Sequence, residues 1–450
     1  MLPSTIGQEL RARVRGRVWI DGDAGYDAAC RPWNLAIEQR PEAVVEAADA
    51  EDVQACVRLT RSHGISVAVQ PSGHGATGRT AGAILLRTTL LDSIEIDPVG
   101  RKARIGAGVR SGALQRAAAA HGLTALPGSS PAVSVTGAAL GGGLSWFGRA
   151  FGWLADSILA LEVVEASGQS HRVTAETDPD LFWALRGGGG DVAVVTAMEL
   201  RLHPAPMVFG GRQLWPAARA RQVADVYRTM TQSAPTSLTL WLELLDFPGA
   251  DPMVAIDSAF LGDEATARRY MGDTRHLPSP LSDTRAAMSA ADLGTITGEP
   301  TDPSPGQSRA ELLTALDDGA LNALLGDPIA PLTVVQIRHL GGALSEPSDS
   351  PHGALTEPYA AYMLGVPSTD SAAEAIVRRQ AALARALPIS GRKPVTFLNA
   401  SECLGDALPQ ASLERVASAQ VGAGPGPHHP GQLRRSRPTR RCSPTRMTTP

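Results

Sequence analysis

The sequence is poor in several things, and each shortage narrows the reading. Of its 41 basic residues only Lys102 and Lys393 are lysine, and aromatic residues make up 4%. With alanine, glycine, proline and arginine abundant, this reads as a coding-composition bias rather than a functional signal. Cysteine is scarce and scattered: Cys30, Cys56, Cys403 and Cys442 include no CxxC pair. Neither a zinc site nor a disulfide framework is suggested, and no metal is expected. Reduced thiols in a cytoplasmic protein are the expectation. Positive charge is not in excess; the net charge is −4 and the pI near 6.2. The basic footprint of a nucleic-acid binder is therefore missing. No run of 18 apolar residues exists, so neither a membrane span nor a membrane partner is expected. The opening MLPSTIGQELRARVRGRVW has no apolar stretch and does not read as a secretory signal. What is present is length: 450 residues, 43% apolar and 19% charged. Such a chain buries a large core, and at about 150 residues per domain it holds two or three domains.

Residues 41–64 have a helical period, with Val53, Cys56, Val57 and Thr60 on one face, Asp52 as a start and Gly64 as a stop. ISVAVQ, AILLRTTL and the pair around Pro98-Val99-Gly100 read as strands. Residues 111–122 read as a helix, 123–152 as loop-rich, and 158–174 as a hairpin across Ser167-Gly168. DPDLFWALRGGGG is a short helix capped by Asp178, followed by the strand DVAVVTAMELRLHP. After Pro204, helical stretches at 217–233, 263–271 and 370–387 alternate with the strands LTLWLELLDF, VAIDSAFLG and LTVVQIRHLGGAL. This is an α+β pattern for about 206–390. Residues 277–308 look like a long surface loop. From 416 to 450 there is no acidic or aromatic residue and there are six arginines. That tail reads as disordered or as the product of a shifted reading frame, with a nucleic-acid arm as an alternative.

Three glycine-rich turns, PSGHG, LGGGL and RGGGG, ask for close approach of backbone to something. The stretch GAGVRSG is not the dinucleotide fingerprint, and no P-loop is present. A pyrophosphate can instead be held by the amides of glycine loops. His74 sits between two glycines after a strand, where a turn residue or a ring beside a planar ligand are both natural.

The pieces RPWN, AEDVQACVRLTRSHG, QPSGHGATG, HGLTALPGSSPAVSVTGAALGGGLSWFGRAFGWLAD, LEVVEASG and DPDLFWALRGGGGDVAVVT occur in that order. Together they resemble the FAD-binding module of the vanillyl-alcohol oxidase superfamily, the PCMH type. In particular they resemble the berberine-bridge-enzyme-like oxidoreductases and their 6-hydroxy-nicotine oxidase-like members. QIRHLGGAL and VTFLNASE resemble later motifs, so the likeness covers about residues 20–415. The resemblance implies an α+β fold: a two-part FAD-binding domain at 20–205, a substrate domain at 206–390 whose antiparallel sheet is covered by helices, and a return segment at 391–415. It implies that His74 bonds covalently to FAD. Relatives carry a second link through a cysteine where this chain has Ser130, which cannot form a thioether, so a single link is expected. The implied cofactor residues are Pro71, Ser72, Gly73, His74, Gly75, Ala76 and Gly78 in the first loop. Pro127, Gly128, Ser129, Ser130, Val133, Thr136, Gly137, Gly141, Gly142, Gly143 and Leu144 follow in the second. Gly189, Val194, Val195 and Asn399 complete the set. Val133, three residues after Ser130, occupies the place of an oxygen gate.

Two positions depart from the pattern: Leu144 and Phe397 stand where relatives have tyrosines, and neither is a base. On QIRHLGG, Gln336, Arg338 and Leu340 point one way and Ile337 and His339 the other; on LTLWLELLDF, Trp241 and Glu243 share a face. The acid–base candidates are His339, chosen for its pKa near neutrality, Glu243 and Asn399. Tyr359 and Tyr362 come without geometry. The implied function is an FAD-linked oxidoreductase taking a hydride from a small alcohol, amine, sugar or secondary metabolite. Its small-molecule partners are that substrate and O2, which is reduced to hydrogen peroxide. A dehydrogenase with another acceptor, and an FAD-binding protein without catalysis, are the alternatives.

Overall fold

A computed structural model describes residues 3–422. Four short strands pair in the order Arg17–Ile20, Ala43–Glu46, Ala83–Arg87, Ser66–Val69, the last three parallel. Ala43–Glu46 corrects the helix expected over all of 41–64: its β-branched pair Val44-Val45 is buried on both faces of the sheet. The helix is Ala50–His63, and its cap is Asp49, whose carboxylate accepts from the Glu51 and Asp52 amides. Asp52 is not the start. Its carboxylate takes the backbone N–H groups of Arg15 (2.7 Å), Gly16 (2.8 Å) and Ala48 (2.9 Å), fastening the chain's beginning to this helix. Gly64 ends the helix in the left-handed region, as expected.

A second sheet runs Ile94–Asp97, Lys102–Gly106, Val194–Arg201, Ile158–Val164, Ser170–Val173, antiparallel throughout. The helix Ala50–His63 joins the two sheets. Val53, Cys56 and Val57 share one core with Val45 and Ile84 of the first sheet and Val164 and Val194 of the second.

The third sheet is antiparallel and large. Its central strands are Val208–Pro216, Met253–Leu261, Leu238–Leu245, Val334–His339, Tyr359–Gly365 and Gln307–Leu313, in that spatial order. Helices Ala220–Ser233, Asp318–Leu325 and Asp370–Ala386 cover one face, where Tyr227, Leu321 and Ile376 pack with Leu240, Leu242 and Ile337. Strand alternation leaves the opposite face to polar residues.

Three expectations change here. The segment 277–308 is not a plain loop: Ser282–Asp283 and Ala286–Met288 pair onto the edge strand Val208–Pro216, and the turn Ala290–Thr295 buries Ala290 and Leu293. The loop-rich stretch 123–152 contains the helix Val135–Leu140, capped by Ser134 Oγ. Disorder does not begin at 416, because helix Gln410–Gly422 crosses that point. Its Val416 is fully buried, and Arg415 lies 4.2 Å over the Trp183 ring and pairs with Asp180. The rest of the expected tail, 423–450 with Cys442, lies outside the described residues. Among the described residues no helix is long and apolar enough to cross a membrane.

Candidate active site

A cavity of about 780 Å³ is lined on one side by the glycine loops and on the other by the polar face of the third sheet. The two walls are built differently.

The first wall begins after the strand Ser66–Val69. Gly73 has φ 84°, and a Cβ there would meet Pro32 and the Trp33 backbone at 2.8–2.9 Å. Only glycine permits that approach. It brings His74 onto Trp33, with ring centroids 4.0 Å apart and planes 13° from parallel. His74 Nδ1 is 3.0 Å from Ser72 Oγ, while Nε2 is buried with no hydrogen-bond partner. Burial, assisted by the Arg110 charge, pushes its pKa down to about 3, so the ring is neutral.

Pro71, Ser72, Gly73, Gly75 and Ala76 line this wall with His74. So do Gly128, Ser129, Ser130, Val133, Thr136, Gly137, Gly141, Gly143 and Leu144 from the second loop, and Gly189 and Val195 beyond it. Five expected members do not: Asn399, Gly142, Val194, Gly78 and Pro127. Gly142 faces away, and a Cβ there would meet the His352 ring at 2.5 Å. Val194 alternates with Val195 and points into the core around the helix Ala50–His63. Gly78 turns toward the Glu38 carbonyl, and the Pro127 carbonyl accepts from the Trp146 amide.

The second wall consists of side chains. In the sheet register Asp257 is opposite both Arg212 and Trp241, Trp241 is opposite Arg338, and Glu243 is opposite Gln336, which is opposite Tyr362. Arg212 holds Asp257 with Nε and Nη2 at 2.6 and 2.7 Å and reaches Glu243 Oε2 at 2.6 Å. Glu243 Oε1 accepts from Gln336 Nε2 at 2.7 Å, and Gln336 Oε1 accepts from Arg338 at 2.6 and 3.0 Å. The result is one continuous chain from Asp257 to Arg338. Burial and the neighbouring Asp257 raise the Glu243 pKa, against the pull of Arg212.

Of the three acid–base candidates only Glu243 reaches the cavity. His339 is on the covered face, where Nε2 accepts from Arg149 Nη1 at 2.9 Å and burial lowers its pKa to about 3. A pKa near neutrality was the wrong guide; the strand face decides. Asn399 closes a turn, its Oδ1 accepting from the Ser401 amide and hydroxyl, and its Nδ2 donating to the Ser308 carbonyl. Leu144 and Phe397 both line the cavity. Sequence reasoning missed Trp33, Arg212 and Glu299 as cavity residues. Arg212 had a signal, since the strand partner of a buried carboxylate must carry a countercharge. Trp33 had one too, as part of the RPWN piece; for Glu299, on a loop, we find none.

Comparison with known proteins bears on what this wall of loops holds. Residues 41–174 match the sequence family described as FAD binding domain. This chain carries an FAD-binding domain. It is 32% identical over 299 residues to (R)-6-hydroxynicotine oxidase of Paenarthrobacter nicotinovorans, a match spanning 64% of each protein. The solved structure of 6-hydroxy-D-nicotine oxidase from Arthrobacter nicotinovorans superposes with a TM-score of 0.81 at 25% identity, covering 93% of this chain and 98% of that one. Physcomitrella patens BBE-like 1 superposes with a TM-score of 0.84 at 18% identity, covering 96% and 99%. The chain is thus similar to FAD-linked oxidoreductases, and the α+β, PCMH-type fold expected from its motifs is the fold observed. The residues present suit the cofactor. A wall of backbone and small side chains admits a broad flat group, and the His74 ring in it offers a buried, partnerless nitrogen.

Proposed function

We propose that this chain binds FAD through a single covalent bond to His74. We further propose that it uses the cofactor to oxidise a small alcohol, amine, sugar or secondary metabolite, with O2 returning the cofactor to its oxidised form and leaving as hydrogen peroxide. The observation that carries the reading is the His74 Nε2 atom: neutral, buried, unpartnered and in the cavity wall. With Nδ1–H donating to Ser72 Oγ, Nε2 keeps its lone pair for a bond. Ser130 lines the same wall and offers no thiol for a second bond.

When bound, FAD supplies the hydride acceptor. The protein's part is to hold the substrate and its proton. Leu144 and Phe397 cannot take a proton, so that work falls to the sheet. Glu243 is our candidate acceptor. Burial and Asp257 raise its pKa, the direction required of a base operating near neutral pH, while Arg212 and Gln336 fix both of its oxygens. Trp241, Tyr362 and Phe397 supply an apolar surround that excludes water.

The test is chemical. Acid-precipitated wild-type protein should stay yellow, and His74→Ala should retain only flavin that acid releases. A wild type that surrenders all its FAD to acid refutes the covalent bond.

A further inference from the structure

Two buried arginines of the third sheet and its surroundings are fully accounted for, and a third is not. Arg212 is matched by Asp257 and Glu243. Arg149 has no carboxylate, but its guanidinium donates to the carbonyls of Leu238, Leu340, Ala234 and Pro235 and to His339. Arg338 is compensated only at a distance: Glu299, Glu243 and Asp257 act on its charge without touching it. It is 4% exposed and lines the cavity. One edge of its fork, Nε and Nη2, donates to the neutral amide oxygen of Gln336. Nη1 makes no hydrogen bond, and among the described residues no carboxylate forms an ion pair with it. Glu299 lines the same cavity without pairing to it.

The aromatic rings around the group hold it in place. The guanidinium carbon lies 4.0 Å over the Trp241 ring, 5.0 Å from the Phe397 ring and 5.4 Å from the Tyr362 ring. Aromatic faces favour a cation modestly but give its N–H groups no acceptor. A buried guanidinium with an unfilled donor edge is costly and is expected to be completed by something. The free edge, Nη1 with the second hydrogen of Nη2, is a planar, rigid donor pair of the kind that takes a carboxylate end-on. A single cation in an aromatic box suits a monoanion with an apolar body better than a dianion.

We propose that the cavity takes a molecule bearing a carboxylate, held by Arg338 and packed against Tyr362 and Phe397. The proposal depends on the flavoenzyme reading only for calling that molecule the substrate.

Isothermal titration of the purified holoprotein tests it with benzoate, phenylacetate and pentanoate, each against its neutral amide. At least one acid should bind ten-fold or more tighter than its amide. Arg338→Gln should bring that ratio below about three-fold, and Arg338→Lys, which keeps the charge but not the fork, should retain part of it. Melting and the flavin absorbance of each variant show whether it is folded. If Arg338→Gln does not fold, the wild-type ratios and Arg338→Lys decide. No acid binding better than its amide, or a preference undiminished by the loss of Arg338, overturns the proposal. A colourless protein would refute the FAD reading and leave these ratios readable.

Discussion

The two walls of the cavity differ in what they are made of. The loop wall, from Pro71 to Leu144 with Gly189 and Val195, is mostly backbone and small side chains, and its single ionisable ring is held neutral. The sheet wall is a hydrogen-bonded chain of five polar side chains, four of them ionisable, from Asp257 to Arg338. A wall that meets a constant cofactor can be specified by where backbone is allowed to go. A wall that meets a particular substrate must be specified by side chains.

Removing Arg212 is the most severe way to break this contrast. Arg212→Leu leaves Asp257 and Glu243 buried beside each other without their cation. It should cost about 3–5 kcal/mol, the usual price of an uncompensated buried charge. Thermal melting checks it, with the flavin-to-protein ratio of the surviving folded fraction unchanged because the loop wall is intact.

A smaller effect shows what the walls share. Each is backed by a buried neutral histidine: His352 behind Gly142 and His339 behind the sheet, both with pKa values pushed down to about 3 by burial. Below pH 6.5 the unfolded chain binds protons at these rings and the native protein does not. Their contribution is therefore complete above pH 6.5 and shrinks as pH falls toward 3. Between pH 6.5 and 5 each ring should remove about 2 kcal/mol of stability. Melting curves across that range should steepen in their pH dependence accordingly. His352→Leu and His339→Leu should each flatten the profile by a similar step, and a profile insensitive to both contradicts the burial argument.

The smallest expected effect belongs to the loop wall. Val133 lines the cavity, and Val133→Leu adds a methylene to a wall of small groups. It should slow reoxidation of the reduced protein by O2 about ten-fold, roughly 1.4 kcal/mol in barrier, with the rate of flavin reduction nearly intact. Stopped-flow reoxidation measures it. Equal rates for the two proteins would remove Val133 from the oxygen path.

The same contrast explains what could be read from the sequence. The loop wall was legible because glycine and histidine in PSGHG and LGGGL declare a backbone that must bend and approach. The errors there were of facing, at Gly78, Pro127, Gly142 and Val194, where neighbouring residues on one turn or strand diverge. The third sheet was half legible from periodicity. Three of its six central strands and two of its three covering helices were expected, while Val208–Pro216, Gln307–Leu313, Tyr359–Gly365 and Asp318–Leu325 were not. Its functional face was not legible, because alternation separates Gln336 and Arg338 from Ile337 and His339 without saying which set is covered by helices. Three packed helices settle that, and their contacts are long-range. Asn399 failed for another reason: its side chain is taken up by its own turn, a local competition that spacing does not display. The helix at 410–422 was hidden by composition, since alanine and serine around Val416 resemble the arginine-rich stretch that follows.

The central claim is that the loop wall holds FAD through one bond to His74. Mass spectrometry of the acid-denatured wild-type protein, followed by a peptide map, measures this directly. The account predicts a mass increase equal to one FAD, carried on the peptide that contains His74. An unmodified chain with all flavin in the supernatant, or flavin attached to any other residue, contradicts it.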